Sequence, residues 1–299
     1  MHIALTGVSG FLGFYIAKRC HESGHTLTGL VRETSRREHV EPYVDRYVVG
    51  DHADESKWEE LFDGADCVIH NSVNWDPLKS SSPDLELHFR SNLNPSIKMI
   101  HAAAPRQFIF VSTIAVHYDM RPRWQGKVDE DHPLRPGTLY GAYKAAVEAH
   151  LWHAHFQSGQ NTCAMRPCGV YGLDPNIERS YGINLVRKVH GGAKRVRKKG
   201  GGKFVHVEDV ASAVVGAVGN ENVSGRAFNL VDCYARWADW AQMTATLLGR
   251  QDLEIDCSSP KDPQNQFSKK AAQEILGVRL DRGHEGIAEY LKSLAEAVV

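Results

Sequence analysis

The chain has 299 residues, 42% of them hydrophobic and 24% charged, with 35 basic side chains against 36 acidic ones. It is long enough to bury a large core, too hydrophobic for wholesale disorder, and too balanced in charge to attract nucleic acid or an anionic membrane. Six cysteines without a C-x-x-C pair exclude a recognisable zinc site or disulfide framework, so no metal is expected. The sequence opens on a strand-like run with no cleavage signal, and no apolar stretch reaches the roughly 20 residues of a membrane span, so a soluble, cytoplasmic protein is expected.

His2 to Leu5 read as a strand, followed by glycines and a helical pattern from Phe11 to Glu22 that Gly24 stops. Strands follow at Thr26 to Val31 and Tyr47 to Val49, then a helix-like SKWEELF and a fourth strand at Cys67 to Ile69. Leu85 to Ala104 read as a helix interrupted by Pro95, and Phe108 to Val111 as a fifth strand. A long helix covers Tyr140 to Gln157, ahead of a sixth strand at Thr162 to Met165. Strands spaced by helices predict a parallel sheet of right-handed βαβ units. The second half is less regular. A basic, glycine-rich stretch at 187–203 precedes a strand at Phe204 to Val205 and a helix from Val207 to Val218, and the remainder reads as short helices and loops. The expected division is a dinucleotide-binding domain over 1–170, rejoined at about 204–231, with a smaller lobe from 171–203 and 232–299.

The first turn carries the chemistry. Gly7, Gly10, Phe11, Leu12 and Gly13 lie between a strand and a helix, with glycines spaced three apart. Such a turn lets backbone approach a pyrophosphate and aims helix N–H groups at it. Arg32 ends the second strand, with Arg36 and Arg37 nearby, where a guanidinium suits a 2′-phosphate and an acid would suit a 2′-hydroxyl. This points to NADP with NAD as the alternative, and the competing reading is a solvated basic loop. Asp51, after the third strand, could accept from an adenine amino group or could be an exposed loop residue. Ser112 and Thr113 end the fifth strand, and Tyr140 and Lys144 are spaced to share one helix face. A free tyrosine titrates near 10, and an adjacent ammonium would favour its phenolate. Thr113 or Ser112 could hold a substrate oxygen while Tyr140 exchanges its proton.

With these motifs in order, the sequence resembles the extended short-chain dehydrogenase/reductase family, also called the NAD-dependent epimerase/dehydratase family. The resemblance runs through TGVSGFLG (6–13), Gly50-Asp51, His70, Asn92, FVST (110–113), YGAYK (140–144), RPCGVYG (166–172), FVHVEDVA (204–211) and SKKAAQEILG (268–277). It implies an α/β fold, a Rossmann-type doubly wound parallel sheet with a smaller mixed C-terminal substrate lobe. It also implies Thr113, Tyr140 and Lys144 as the catalytic trio, Ser112 as a second hydroxyl, His70 beside the cofactor, and the Arg166-Pro167 loop against the nicotinamide. In relatives the helix after Tyr140 often packs on its counterpart, so a homodimer is compatible. The departures narrow the chemistry. His70-Asn71-Ser72-Val73 replaces His-x-Ala-Ala, Pro95-Ser96 replaces Gly-Thr, and His117 replaces a common tyrosine. Ile114 and Ala115 stand where sugar-nucleotide 4,6-dehydratases carry Asp-Glu, which removes the acid and base for dehydration.

Other features have plainer readings. His150, His153 and His155 crowd one helix, where a solvated or dimer-facing surface is expected over a metal site. The 187–203 segment holds eight Lys or Arg residues and no acid. It is either a solvated loop or a contact for a phosphate- or nucleotide-bearing substrate, and without interleaved aromatics it does not fit nucleic acid. Trp75, Trp124, Trp237 and Trp240 are candidates to line a pocket or pack a C-terminal helix. The expected function is an NADP-preferring oxidoreductase interconverting a secondary alcohol and a ketone. The alternatives are a nucleotide-sugar epimerase with tightly held NAD and a non-catalytic NADP-binding regulator.

Overall fold

Seven short apolar segments form the central sheet, numbered along the chain: β1 (His2–Thr6), β2 (Thr26–Val31), β3 (Arg46–Val49), β4 (Cys67–His70), β5 (Gln107–Val111), β6 (Thr162–Pro167) and β7 (Arg226–Leu230). In the computed structural model, which describes residues 1–79, 82–118, 126–263 and 265–298, they lie in the order β3-β2-β1-β4-β5-β6-β7. Every neighbouring pair is parallel. Strand order reverses between β1 and β4, and the crevice at such a switch point is where open α/β sheets bind ligands.

Alternation along the strands sorts the core into two layers. Ile3, Leu5, Ile109, Val111, Phe228 and Leu230 face one side. There they pack on helices α1 (Phe11–Glu22) and α5 (Val207–Gly216). Ala4, Val68, Phe108, Phe110 and Ala227 face the other side, against α2 (Asn94–Ala103) and α3 (Leu139–Ser158). Burial on both faces explains why these strands read as continuous apolar runs.

The helix expected over 85–104 is divided. Leu85–His88 is α-helical, Phe89–Leu93 is a π turn, and α2 begins at Asn94 with Pro95 in its first turn. A proline inside an α-helix removes one donor and clashes with the preceding turn, and a new helical start tolerates it. The π turn resets the register and buries Asn92.

The smaller lobe is more ordered than its sequence suggests. Gly169–Tyr171, Gly201–His206 and Cys233–Arg236 form a mixed three-stranded sheet. Helices α4 (Ile183–His190), α6 (Trp237–Leu247) and α7 (Gly283–Val298) pack around Tyr171, Phe204, Trp240 and Tyr290. The strand expected at Phe204 belongs to this sheet, whereas β7, which the sequence pattern did not isolate, joins the main one. The basic stretch begins inside α4, where Ile183, Val186 and Val189 form a narrow buried stripe that surrounding lysines and arginines mask in the sequence. Among the described residues, no helix is long and apolar enough to cross a membrane.

Candidate active site

At the end of β1, Gly7 takes a left-handed turn with φ +72°. A Cβ on Gly13 would fall on the Gly7 carbonyl, 2.8 Å from its carbon, so only glycine lets α1 start this close to the strand. Gly10 precedes the helix without a side-chain cap, and the first turn holds no acid. The N–H groups of Phe11, Leu12 and Gly13 therefore keep the positive end of the helix available for an anion. This cradle, made by missing Cβ atoms, fits a dinucleotide pyrophosphate.

Arg32 is exposed directly after β2; its backbone N–H donates to Ser35 Oγ at 3.1 Å, its carbonyl accepts from the Ser35 N–H at 2.9 Å, and among the described residues its guanidinium has no hydrogen-bond partner. Arg37 instead lies over the Tyr47 ring, 5.3 Å from its centre. Asp51 uses Oδ1 to close a turn on the Ala53 N–H at 2.9 Å and stays half-exposed.

His70 sits below the cradle. Thr6 Oγ1 accepts from the N–H groups of Asn71 and Ser72 at 3.0 and 3.1 Å, so its one proton goes to His70 Nδ1, 2.8 Å away. Nε2 then donates to Ser96 Oγ at 2.9 Å, and Ser96 donates to the Asn92 carbonyl at 2.7 Å. Burial, with His52 and Lys144 nearby, holds His70 well below the usual histidine range, so it is neutral. Its role here is to fix the start of the loop after β4, with its side chain fully buried.

The chemical centre forms where α3 meets the end of β5. A Cβ on Gly141 would strike the Ala115 carbonyl, 3.0 Å from its carbon. That glycine lets the first turn of α3, carrying Tyr140, lie against the turn after Thr113. Thr113 caps that turn, its Oγ1 accepting from the Ala115 N–H at 3.1 Å, and its hydroxyl proton stays available. Burial raises the Tyr140 phenol above its ordinary value, opposite to the lowering expected from a neighbouring ammonium. Lys144 is engaged elsewhere: its buried Nζ donates to the Val111 carbonyl at 2.6 Å and lies 4.3 Å from the centre of the Phe110 ring. Burial pulls Lys144 down to about 7, with Glu148 opposing.

Glu148 is the residue that sequence reasoning missed. It follows Lys144 by one helical turn on the same buried face. Ser112 Oγ donates to Glu148, and Arg166 grips it with Nη2 at 2.6 Å and Nε at 3.1 Å from each oxygen. The structure thus places Ser112 and Arg166 inside a buried network and not at the mouth of the site; both side chains are essentially inaccessible. His117 completes it, 3.4 Å from Arg166 Nη1, and burial beside that guanidinium lowers it to about 4. Pro167 ends β6, buried opposite Leu230. An acid one turn beyond Lys144 was the available signal.

A profile of the NAD dependent epimerase/dehydratase family matches residues 3–230. The chain belongs to that family. As an extended short-chain dehydrogenase/reductase, it is an NAD(P)-dependent oxidoreductase or epimerase. It is similar to cinnamoyl-CoA reductase 1 of Arabidopsis thaliana, with 26% identity over 98% of this chain and 89% of that protein. Its fold is that of a UDP-galactose 4-epimerase, with a TM-score of 0.80, 23% identity and full coverage of both chains. The structure of MoeE5 in complex with UDP-glucose and NAD also superimposes over the full length of both chains, at TM-score 0.77 and 20% identity.

This family member has further features in its smaller lobe. Four cations of the basic segment are paired: Arg187 with Glu178, Lys194 with Asp252, Arg197 with Glu254 and Lys199 with Asp256. Lys188 and Lys198 instead line a cavity of about 440 Å³ with Tyr181, Asn184, Trp237 and Trp240. Lys198 Nζ lies 3.4 Å above the Trp237 ring. Trp124 lies outside the described residues. His150 and His153 gather with His101, ring centres 5.7–6.4 Å apart, while His155 turns to Ser224 at 3.1 Å. Among the described residues, no group of three side chains is placed to hold a metal ion.

Proposed function

We propose that this protein is an NADP-preferring reductase interconverting a ketone and a secondary alcohol. The observation that carries the reading is Tyr140, a partly buried phenol kept protonated and held by Gly141 against the turn that Thr113 begins. A ketone whose oxygen accepts from Thr113 Oγ1 would take its proton from Tyr140 as negative charge develops on that oxygen. The nicotinamide, when bound, supplies the hydride to the carbonyl carbon. Lys144 holds the ribose and, as an ammonium, stabilises the phenolate left behind. Glu148, Arg166 and His70 position these groups from beneath, and Asp51 and Pro167 border the cofactor. Arg32, exposed with its guanidinium uncommitted, supports a 2′-phosphate and hence NADP.

Two measurements test this. Tyr140→Phe should retain NADPH binding and lose about 100-fold or more in kcat; undiminished turnover would end the proposal. In a fluorescence titration of cofactor-free protein, Arg32→Ala should weaken NADPH about tenfold or more while leaving NADH unchanged.

A second reading, a nucleotide-sugar epimerase with retained NAD, draws on the cavity that Lys188 and Lys198 line, whose charge suits a phosphate-bearing substrate. Tightly bound NAD in purified protein, with turnover of a UDP-, GDP- or TDP-sugar, would favour it. Either enzyme could pair through α3, which leaves Phe156 81% exposed, and sedimentation would show a dimer.

A further inference from the structure

The wall beside Tyr140 is built as deliberately as the acid itself. Asn92, wholly buried by the π turn, accepts from the Asn74 N–H at 2.7 Å and donates to the Asn74 carbonyl at 2.8 Å. Both backbone groups of Asn74 are thereby fixed. Asn74 Oδ1 then accepts from the Asp76 N–H at 3.1 Å, which turns the chain immediately beyond Trp75. Bracketed in this way, the Trp75 indole lies over the Tyr140 ring with centres 5.0 Å apart and planes inclined by 32°, while remaining 48% exposed.

A half-exposed tryptophan leaves apolar area in water unless something covers it, and the backbone on both sides of it is hydrogen-bonded. Part of the neighbouring surface is apolar as well. Val73 packs in the same cluster as Tyr140, and Ile114 and Ala115 directly follow Thr113. Neither the indole face nor these apolar side chains offers a partner to a sugar hydroxyl, and unpaired polar groups are costly. A flat unsaturated group would cover the indole without that cost.

We propose that Trp75, held by the Asn92–Asn74 clamp, is a specificity-determining residue that stacks a planar, unsaturated substituent on the carbonyl presented to Tyr140. This inference rests on Tyr140 being the acid of the proposed reductase.

The test compares acetophenone with cyclohexyl methyl ketone, which share a carbon count and differ in flatness. Wild-type protein should reduce acetophenone with NADPH about tenfold more efficiently in kcat/KM, the difference residing in KM, as aromatic stacking would give. Trp75→Ala should collapse that preference to about twofold or less, and Trp75→Phe should restore most of it. Calorimetric binding of both ketones to protein saturated with NADP⁺ reads the same preference without turnover. Binding that depends on Trp75, with neither ketone reduced, would overturn the reductase and uphold the wall. Reduction with an equal preference in wild type and Trp75→Ala, or a loss confined to kcat on both ketones, would overturn the wall and leave the reductase. Neither binding preference nor turnover would overturn both.

Discussion

The two ends of this molecule handle charge in opposite ways. Under the Tyr140 site, Glu148 and Arg166 are buried and bonded to each other, with Ser112 donating to the carboxylate and His117 and the Glu130 carbonyl beside the guanidinium. In the smaller lobe, Arg187, Lys194, Arg197 and Lys199 pair with acids on the surface, where water competes for every charge. A buried ion pair contributes little beyond an apolar replacement, but breaking it strands a charge in a medium that cannot solvate it. An exposed pair can be broken with little consequence. The comparison teaches that the polar groups beneath Tyr140 have no alternative partner once their own is removed, whereas the exposed charges of the lobe have water.

The sharpest way to break that contrast is Glu148→Ala. It leaves Arg166 buried without its carboxylate and should cost about 3–5 kcal/mol in urea denaturation. A loss of under about 1 kcal/mol would mean that the network is not what holds this region. Glu148→Gln, which keeps the shape and the acceptor for Ser112, should lose less.

A pH titration probes the same half more finely. Burial lowers Lys144 from 10.5 to about 7 in the folded protein. Between those values the unfolded chain carries a proton that the folded chain lacks, so this group's contribution makes stability rise with pH across that window. Below about pH 7 its buried charge is present in both states, and the contribution stays at its least favourable. An anionic dinucleotide favours the ammonium, so binding should take up a proton. NADPH affinity should therefore fall as pH rises above 7, by up to about tenfold per unit, with the slope absent in Lys144→Met. A flat profile in wild type would place Lys144 outside the binding equilibrium.

The smallest effect is expected in the lobe. Arg197→Ala removes its surface pair with Glu254 and should leave the melting temperature and turnover where they were. A clear drop in melting would show that these pairs act as a network.

Much of the catalytic half could be read from local patterns. The glycine turn is legible because three glycines between a strand and a helix answer one local geometry. Tyr140 and Lys144 are legible because helical spacing puts them on one face. The first six strands and their parallel pairing follow from periodicity and the alternation with helices, while their doubly wound order is what the family resemblance implies. Tertiary structure decided the rest. Glu148 meets Arg166 only because α3 packs across β6, and Trp75 reaches Tyr140 only because a proline-driven π turn delivers Asn92 to Asn74. The same holds for the lobe, where Asp252, Glu254 and Asp256 answer part of the basic segment and separate paired cations from the two lysines that line the cavity. Local conformational preference acts over a few residues and leaves its mark in the sequence. Which distant side chains share a buried space depends on how whole elements pack, and that is written nowhere along the chain.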